Sequence, residues 1–147
     1  MDQPSLFGAD PGSGSATANI DGGSRGNPGP AGYGVRIEQP DGTIVELKQA
    51  LGPCTNNVAE YNGLLAALRW ASEHHITRLL VRSDSELLVK QLRGEYRVKN
   101  PGLLPLYDEA RSLARRIGKV TFEHVRRELN KDADRLANEA MDEGASQ

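Results

Sequence analysis

The sequence predicts an α/β domain built on a mixed five-stranded sheet with helices on both faces. Segments of period two and of period 3.6 alternate along the chain in the order β-β-β-α-β-α-α-β-α. The first three strand segments are joined by connections too short to cross over, so they pair antiparallel. The last two are each reached through helix and so run parallel to their neighbours.

Taken in order, residues 1–15 are rich in Gly, Ser, Pro, Asp and Ala without periodicity, and predict a disordered N-terminal tail ahead of a domain spanning 16–147. Ala16 to Asp21 reads as the first strand. Tyr33 to Gln39 and Thr43 to Leu51 read as a hairpin turned at Pro40-Asp41-Gly42. Val35 and Ile37 alternate with Arg36 and Glu38, the pattern of a half-buried strand. Asn56 or Asn57 is placed to cap a helix running to about His74, with Glu60, Leu64, Ala67, Leu68 and Ala71 on one face. Trp70 falls mid-helix, as a core residue would. His74 and His75 fall at the helix end, where the dipole favours a cation.

Arg78 to Asp84 is the fourth strand. Glu86 to Leu92 is a short helix ended by Gly94, and Leu103 to Ile117 a longer one ended by Gly118. Lys119 to Arg126 is the fifth strand, in which Val120, Phe122 and His124 share a face; His124 is therefore expected to pack. Asn130 or Asp132 caps a final helix to about Glu143.

The 147 residues suit one domain, 37% hydrophobic and 26% charged. No apolar run reaches the roughly 20 residues that span a bilayer, and Met1-Asp2-Gln3-Pro4-Ser5 is not the basic start of a secretory signal. A single cysteine, Cys54, allows no internal disulfide and no cysteine-based metal cluster. The expectation is a monomer in the reducing cytoplasm, without membrane contact. A net charge of -2 is not the bulk signature of a nucleic-acid binder. Local runs of Lys90, Arg93, Arg97 and Lys99, of Arg111, Arg115, Arg116 and Lys119, and of Arg126 with Arg127 could still hold phosphates.

Four carboxylates stand apart. Asp21 lies within a strand, Glu60 in the first turn of a helix, Asp84 at a strand's carboxyl end and Asp134 at the start of the last helix. Acids gathered at the ends of core elements repel one another and raise each other's pKa unless cations hold them. Such a set is what two-metal phosphoryl-transfer chemistry uses. Taken singly, Glu60 and Asp134 also suit the bland role of acids near a helix start.

The segments carrying these acids are similar to the motifs of one family. Asp21-Gly22-Gly23-Ser24-Arg25-Gly26-Asn27-Pro28-Gly29-Pro30-Ala31-Gly32-Tyr33-Gly34 resembles the first strand and turn of type 1 ribonuclease H (ribonuclease HI). Thr55-Asn56-Asn57-Val58-Ala59-Glu60 resembles its first helix start. Val81-Arg82-Ser83-Asp84-Ser85 resembles its fourth strand end, and residues 124–137 its closing segment. The resemblance covers roughly residues 16–143, with the motifs in the family's order.

The resemblance implies the ribonuclease H fold and hydrolysis of the RNA strand of RNA–DNA hybrids, leaving 5′-phosphate and 3′-hydroxyl ends. It makes Asp21, Glu60, Asp84 and Asp134 the catalytic ligands of two Mg2+ ions, which Mn2+ can replace. It assigns Asn27 and Thr55 to a DNA phosphate, and Asn56 and Asn57 to the minor groove. Gly22, Gly23 and Ser24 would bring backbone close to the RNA, where the 2′-hydroxyl is read. Double-stranded RNA is a second candidate substrate.

Two departures stand out. Gly94 to Gly102 is short and lacks the tryptophan-bearing basic protrusion of many relatives, which places the chain with the subgroup lacking it. The loop Arg126-Arg127-Glu128-Leu129-Asn130 lacks the histidine many relatives carry, leaving Arg127 to fill part of that role. Two alternatives stay open at this level: a non-catalytic binding module for hybrid or double-stranded RNA, and a nuclease of the same fold acting on DNA.

Overall fold

In a computed structural model, residues 14–145 are described. Five strands, β1 (Ser15–Ser24), β2 (Gly29–Glu38), β3 (Ile44–Cys54), β4 (Arg78–Ser83) and β5 (Lys119–His124), form one sheet in the order β3-β2-β1-β4-β5. β1, β2 and β3 pair antiparallel, while β4 joins β1 and β5 joins β4 in parallel. The helices are α1 (Asn56–Glu73), α2 (Glu86–Leu92), α3 (Leu104–Ile117) and α4 (Lys131–Ala145), with a 3-10 turn at Arg127–Leu129. This is the expected element order and mixed sheet.

The main core lies on one face. Ala18, Ile20, Val35, Ile37, Leu79 and Val81 of the sheet pack there against Leu64, Leu65, Leu68 and Ala71 of α1, with Leu88 of α2 and Ala110 and Leu113 of α3. The other face takes α4, whose Ala133, Leu136, Ala137 and Ala140 are buried against β2, β3 and β1. Val35 and Ile37 are both fully buried while Glu38 is exposed, as the alternation requires.

Two glycines set how closely the helices approach. A Cβ on Gly22 would lie 2.5 Å from the carbonyl carbon of Ala59, so α1 rests directly on β1. A Cβ on Gly34 would lie 2.4 Å from that of Leu136 and 2.5 Å from the carbonyl oxygen of Ala133, so α4 rests on β2 in the same way. Only a residue without a side chain permits either contact.

Several local expectations are corrected. The expected tail of residues 1–15 falls mostly on residues 1–13, which lie outside the described residues; Ser15, however, opens β1, and the Gly14 carbonyl accepts from Thr77 N (2.9 Å) and Arg78 N (3.0 Å). β1 continues through Gly22-Gly23-Ser24 because each pairs with β2, Ser24 with Ala31. Thr55, not Asn56 or Asn57, caps α1: its hydroxyl accepts from Val58 N at 3.2 Å.

His124 ends β5 exposed rather than packed. β5 is an edge strand and His124 is its last residue, which leaves the side chain open to solvent. Trp70 is half-buried and stacks on His74 (centroids 4.1 Å apart), whose Nδ1 lies 2.8 Å from the Trp70 carbonyl.

Candidate active site

Register brings the first two acids together. Ile20 pairs with Ser83 in the parallel β1–β4 ladder, so Asp21, still within β1, and Asp84, just past β4, follow side by side where that ladder ends. Asp21 also sits opposite Gly34, beneath the start of α4. Asp134 is the fourth residue of α4, its N–H bonded to the Asn130 carbonyl at 3.0 Å. Glu60 is the fifth residue of α1, next to the Ala59 that Gly22 touches. It begins the second turn, so the favourable end of the helix dipole acts on it less than a first-turn position would imply.

All four carboxylates line one cleft of about 470 Å3, together with Gly22, Gly23, Ser24, Asn56, Asn57 and Arg127. Two expected residues fall elsewhere. Asn27 Oδ1 accepts from Asn56 N (3.0 Å), and Thr55 caps Val58, so both serve the amino end of α1 beside the cleft. Asn56 Oδ1 in turn accepts from Ser24 N (2.8 Å) and Ser24 Oγ (3.1 Å), which ties the end of β1 to α1.

Four lining residues escaped the sequence reading: Arg25, Ser85, Asn138 and Met141. Asn138 was findable, since it lies one helical turn after Asp134 and donates to its carbonyl at 2.9 Å. Arg25 had no local signal; its guanidinium reaches Asp142 (2.8 Å) and Asn138 Oδ1 (3.1 Å) across the cleft wall. Of the basic runs, only Arg127 enters the cleft. Lys90 is held by Glu86 at 3.2 Å, Arg93 donates to the Phe122 carbonyl at 2.9 Å, and Arg97 lines a separate groove with Tyr96 and Tyr107.

The electrostatics are those of acids under strain. The Asp21 carboxyl is pushed up to about 8, first by burial and then by the charge of Asp84 and by the Asp134 carboxyl, against one opposing N–H from Gly22 at 2.9 Å. Glu60 is pushed up to about 7 by burial, with a hydrogen bond from Ser85 opposing and the Asp84 charge adding. Among the described residues, none of the four acids has a lysine, arginine or histidine ion-pair partner.

Half-buried acids that crowd one another without a cationic partner are what hard divalent cations relieve. No three His, Cys, Asp or Glu side chains among the described residues converge as a finished cage for one ion.

A pH dependence follows. Raised carboxylates contribute stability that is full below their unfolded values near 4 and lost as pH rises through their folded values of about 7 and 8. Asp41 and Glu139, both held below the usual range, stay charged from pH 5.5 to 9 and do not mask the effect. In chelator, the melting temperature is expected to fall between pH 5.5 and 9, and millimolar Mg2+ or Mn2+ should shrink the fall. A melting temperature that climbs over that range in chelator would contradict the assignment.

Residues 19–140 match the family model described as reverse transcriptase-like. The chain is 51% identical over 127 residues to the bifunctional protein Rv2228c of Mycobacterium tuberculosis, covering 85% of this chain and 35% of that one. It therefore spans about a third of the length of its mycobacterial relatives. The crystal structure of RNase H1 from the archaeon Halobacterium salinarum superposes with a TM-score of 0.83 at 42% identity, covering 88% of this chain and 98% of that one. LC11-RNase H1, solved in complex with an RNA/DNA hybrid, superposes with a TM-score of 0.82 at 40% identity, covering 87% and 97%. Among the described residues no helix is long and apolar enough to cross a membrane.

Proposed function

Since the chain belongs to the ribonuclease H family, we propose that it is an endonuclease that hydrolyses the RNA strand of RNA–DNA hybrids. The reading includes 5′-phosphate and 3′-hydroxyl products, two divalent cations, and Asp21, Glu60, Asp84 and Asp134 as their ligands. The observation that carries it is the convergence of these acids in one cleft, two of them pushed toward protonation, without a cationic partner. That a related protein, LC11-RNase H1, was solved with an RNA/DNA hybrid supports the choice of substrate.

When bound, the cations would supply water activation and charge neutralisation at the scissile phosphate. The rest falls to the protein. Asp21 and Asp84 present their carboxylates from neighbouring strand ends, with little conformational freedom to lose. Ser85 lines the cleft with Glu60 and favours its charged form. Gly22, Gly23 and Ser24 let the RNA strand lie against backbone, with Asn56 and Asn57 beside it for the minor groove and the 2′-hydroxyl. Asn27 and Thr55 offer a DNA-phosphate contact at the amino end of α1, where the helix dipole adds to it. Arg127 lines the same cleft and would screen charge as it develops. We take the proposed enzyme to be a cytosolic monomer; the free thiol Cys54 suits a reducing setting.

The test is one preparation assayed with Mg2+ on labelled RNA–DNA hybrid, double-stranded RNA and duplex DNA. Internal cuts in the RNA of the hybrid, with duplex DNA intact, are expected; the double-stranded RNA arm decides that second substrate. Arg127→Ala should lower kcat and leave KM near the parent value, the mark of an interaction made in the transition state. Binding of hybrid without cleavage in Mg2+ or Mn2+ would favour the non-catalytic binding module instead.

A further inference from the structure

The loop between β5 and α4 is fastened at both ends to residues that directly precede two of the acids. At one end, Val125 N donates to the carbonyl of Ser83 (2.9 Å), the residue before Asp84. At the other, Asn130 Nδ2 donates to the carbonyl of Ile20 (2.9 Å), the residue before Asp21. Asn130 Oδ1 accepts from Asn19 Nδ2 at 3.1 Å, and Asn19 Nδ2 also reaches the Leu129 carbonyl at 3.4 Å. The Asn130 backbone carbonyl accepts the N–H of Asp134. One residue thus touches the strand that carries Asp21 and the helix turn that carries Asp134.

Asn130 is 1% exposed and Asn19 9% exposed. A buried amide is costly unless its polar atoms are bonded, and an apolar residue would fill the space more cheaply. An amide here holds a geometry. Between the two fastenings, Arg127 to Leu129 form a single exposed turn closed by Leu129 N to Arg126 O (2.9 Å) and Asn130 N to Arg127 O (2.9 Å). Arg127 is therefore presented to the cleft on a span whose two ends are pinned to the sheet.

We propose that Asn130, seconded by Asn19, is a positioning residue that sets Asp134 and Arg127 at their working distance from Asp21. It acts through those residues and touches neither substrate nor cation. The inference rests on the hybrid-cleaving reading above, and it adds a residue outside the carboxylate set.

The test compares the full chain with Asn130→Ala and Asn19→Ala. Asn130→Ala should lower kcat by about tenfold or more, the scale for groups that orient metal ligands, with KM within twofold. Mn2+ affinity measured by calorimetry without nucleic acid should weaken in parallel. Arg127→Ala should cost clearly less in the Asn130→Ala background than in the parent, because the loop is already misplaced. Asn19→Ala leaves the Ile20 bond intact and should move the same quantities in the same direction by less.

Unchanged kcat and unchanged Mn2+ affinity in a folded Asn130→Ala protein would overturn the proposal, as would a rise in KM alone. If Asn130→Ala does not fold, Asn19→Ala decides by the same readings. A parent that fails to cut hybrid sinks the functional reading instead, and the Mn2+ titrations still judge the positioning role.

Discussion

Asp21→Asn is expected to abolish cleavage and to leave a metal-free protein that melts higher than its parent. The two effects share one cause. Asp21 is a half-buried carboxyl flanked by Asp84 and Asp134 and pushed up to about 8. At neutral pH the metal-free fold must either keep it protonated or bear the repulsion. An amide of the same shape removes the charge and can still accept from Gly22 N. Above pH 8, in chelator, a rise of about 4 °C is expected for each kcal/mol relieved.

The same substitution removes a charged ligand that an amide replaces poorly. Turnover should fall by on the order of a thousandfold or more, as it does when one member of a unit that acts together is lost. Asp84→Asn should behave alike, since the Asp84 charge raises both Asp21 and Glu60. Turnover within tenfold of the parent in Mg2+ for either variant would remove that residue from the site. Lost turnover with a lowered melting temperature in chelator would mean that the acids are not under the strain described.

Gly22→Ala is expected to cost far more stability than a methyl group added at a glycine with open space around it. The new Cβ would lie 2.5 Å from the carbonyl carbon and oxygen of Ala59 and 2.6 Å from Glu60 N. These are backbone atoms within a helix, so α1 must lift off β1 as a body. Overpacking of this kind costs about 3 kcal/mol, or roughly 10 °C in a domain of this size. Activity should fall with it, because Glu60 rides on the displaced turn.

Gly42→Ala is the control. Gly42 has a φ of +88° but nothing within 4 Å, so only backbone strain of about 1 kcal/mol is at stake. Denaturant unfolding of the two variants gives the comparison. Equal losses would show that the close approach of α1 to β1 does not matter energetically.

Much of this was legible in the amino-acid order because it is local. Val35 and Ile37 against Arg36 and Glu38 announce a half-buried strand, since side chains alternate across a pleat. Gly94 and Gly118, both at positive φ, mark where α2 and α3 end, since only glycine adopts that backbone freely. Asp21 and Asp84 could be singled out because one interrupts and the other closes an apolar run; Glu60 and Asp134 stood out only through the family resemblance. Even so, sequence could not distinguish Thr55 from Asn56 as the cap of α1. Each can bond an N–H two or three residues on, and the choice fell to Asn56 being drawn away by Ser24, a residue 32 positions earlier.

What only the tertiary structure decided depends on register and depth. That Asp21 meets Asp84 follows from the pairing of Ile20 with Ser83 in a parallel ladder, which no local pattern encodes. That Lys90 and Arg93 turn away from the cleft follows from partners they find once folded, Glu86 and the Phe122 carbonyl. Asn130 looked like one of two candidate caps; folding made it a buried link between β1 and α4, because its amide could bond across 110 residues of chain. The sequence determined which acids are present and on which elements. The fold determined how near they stand and how dry they are, because repulsion and desolvation act through space and not along the chain.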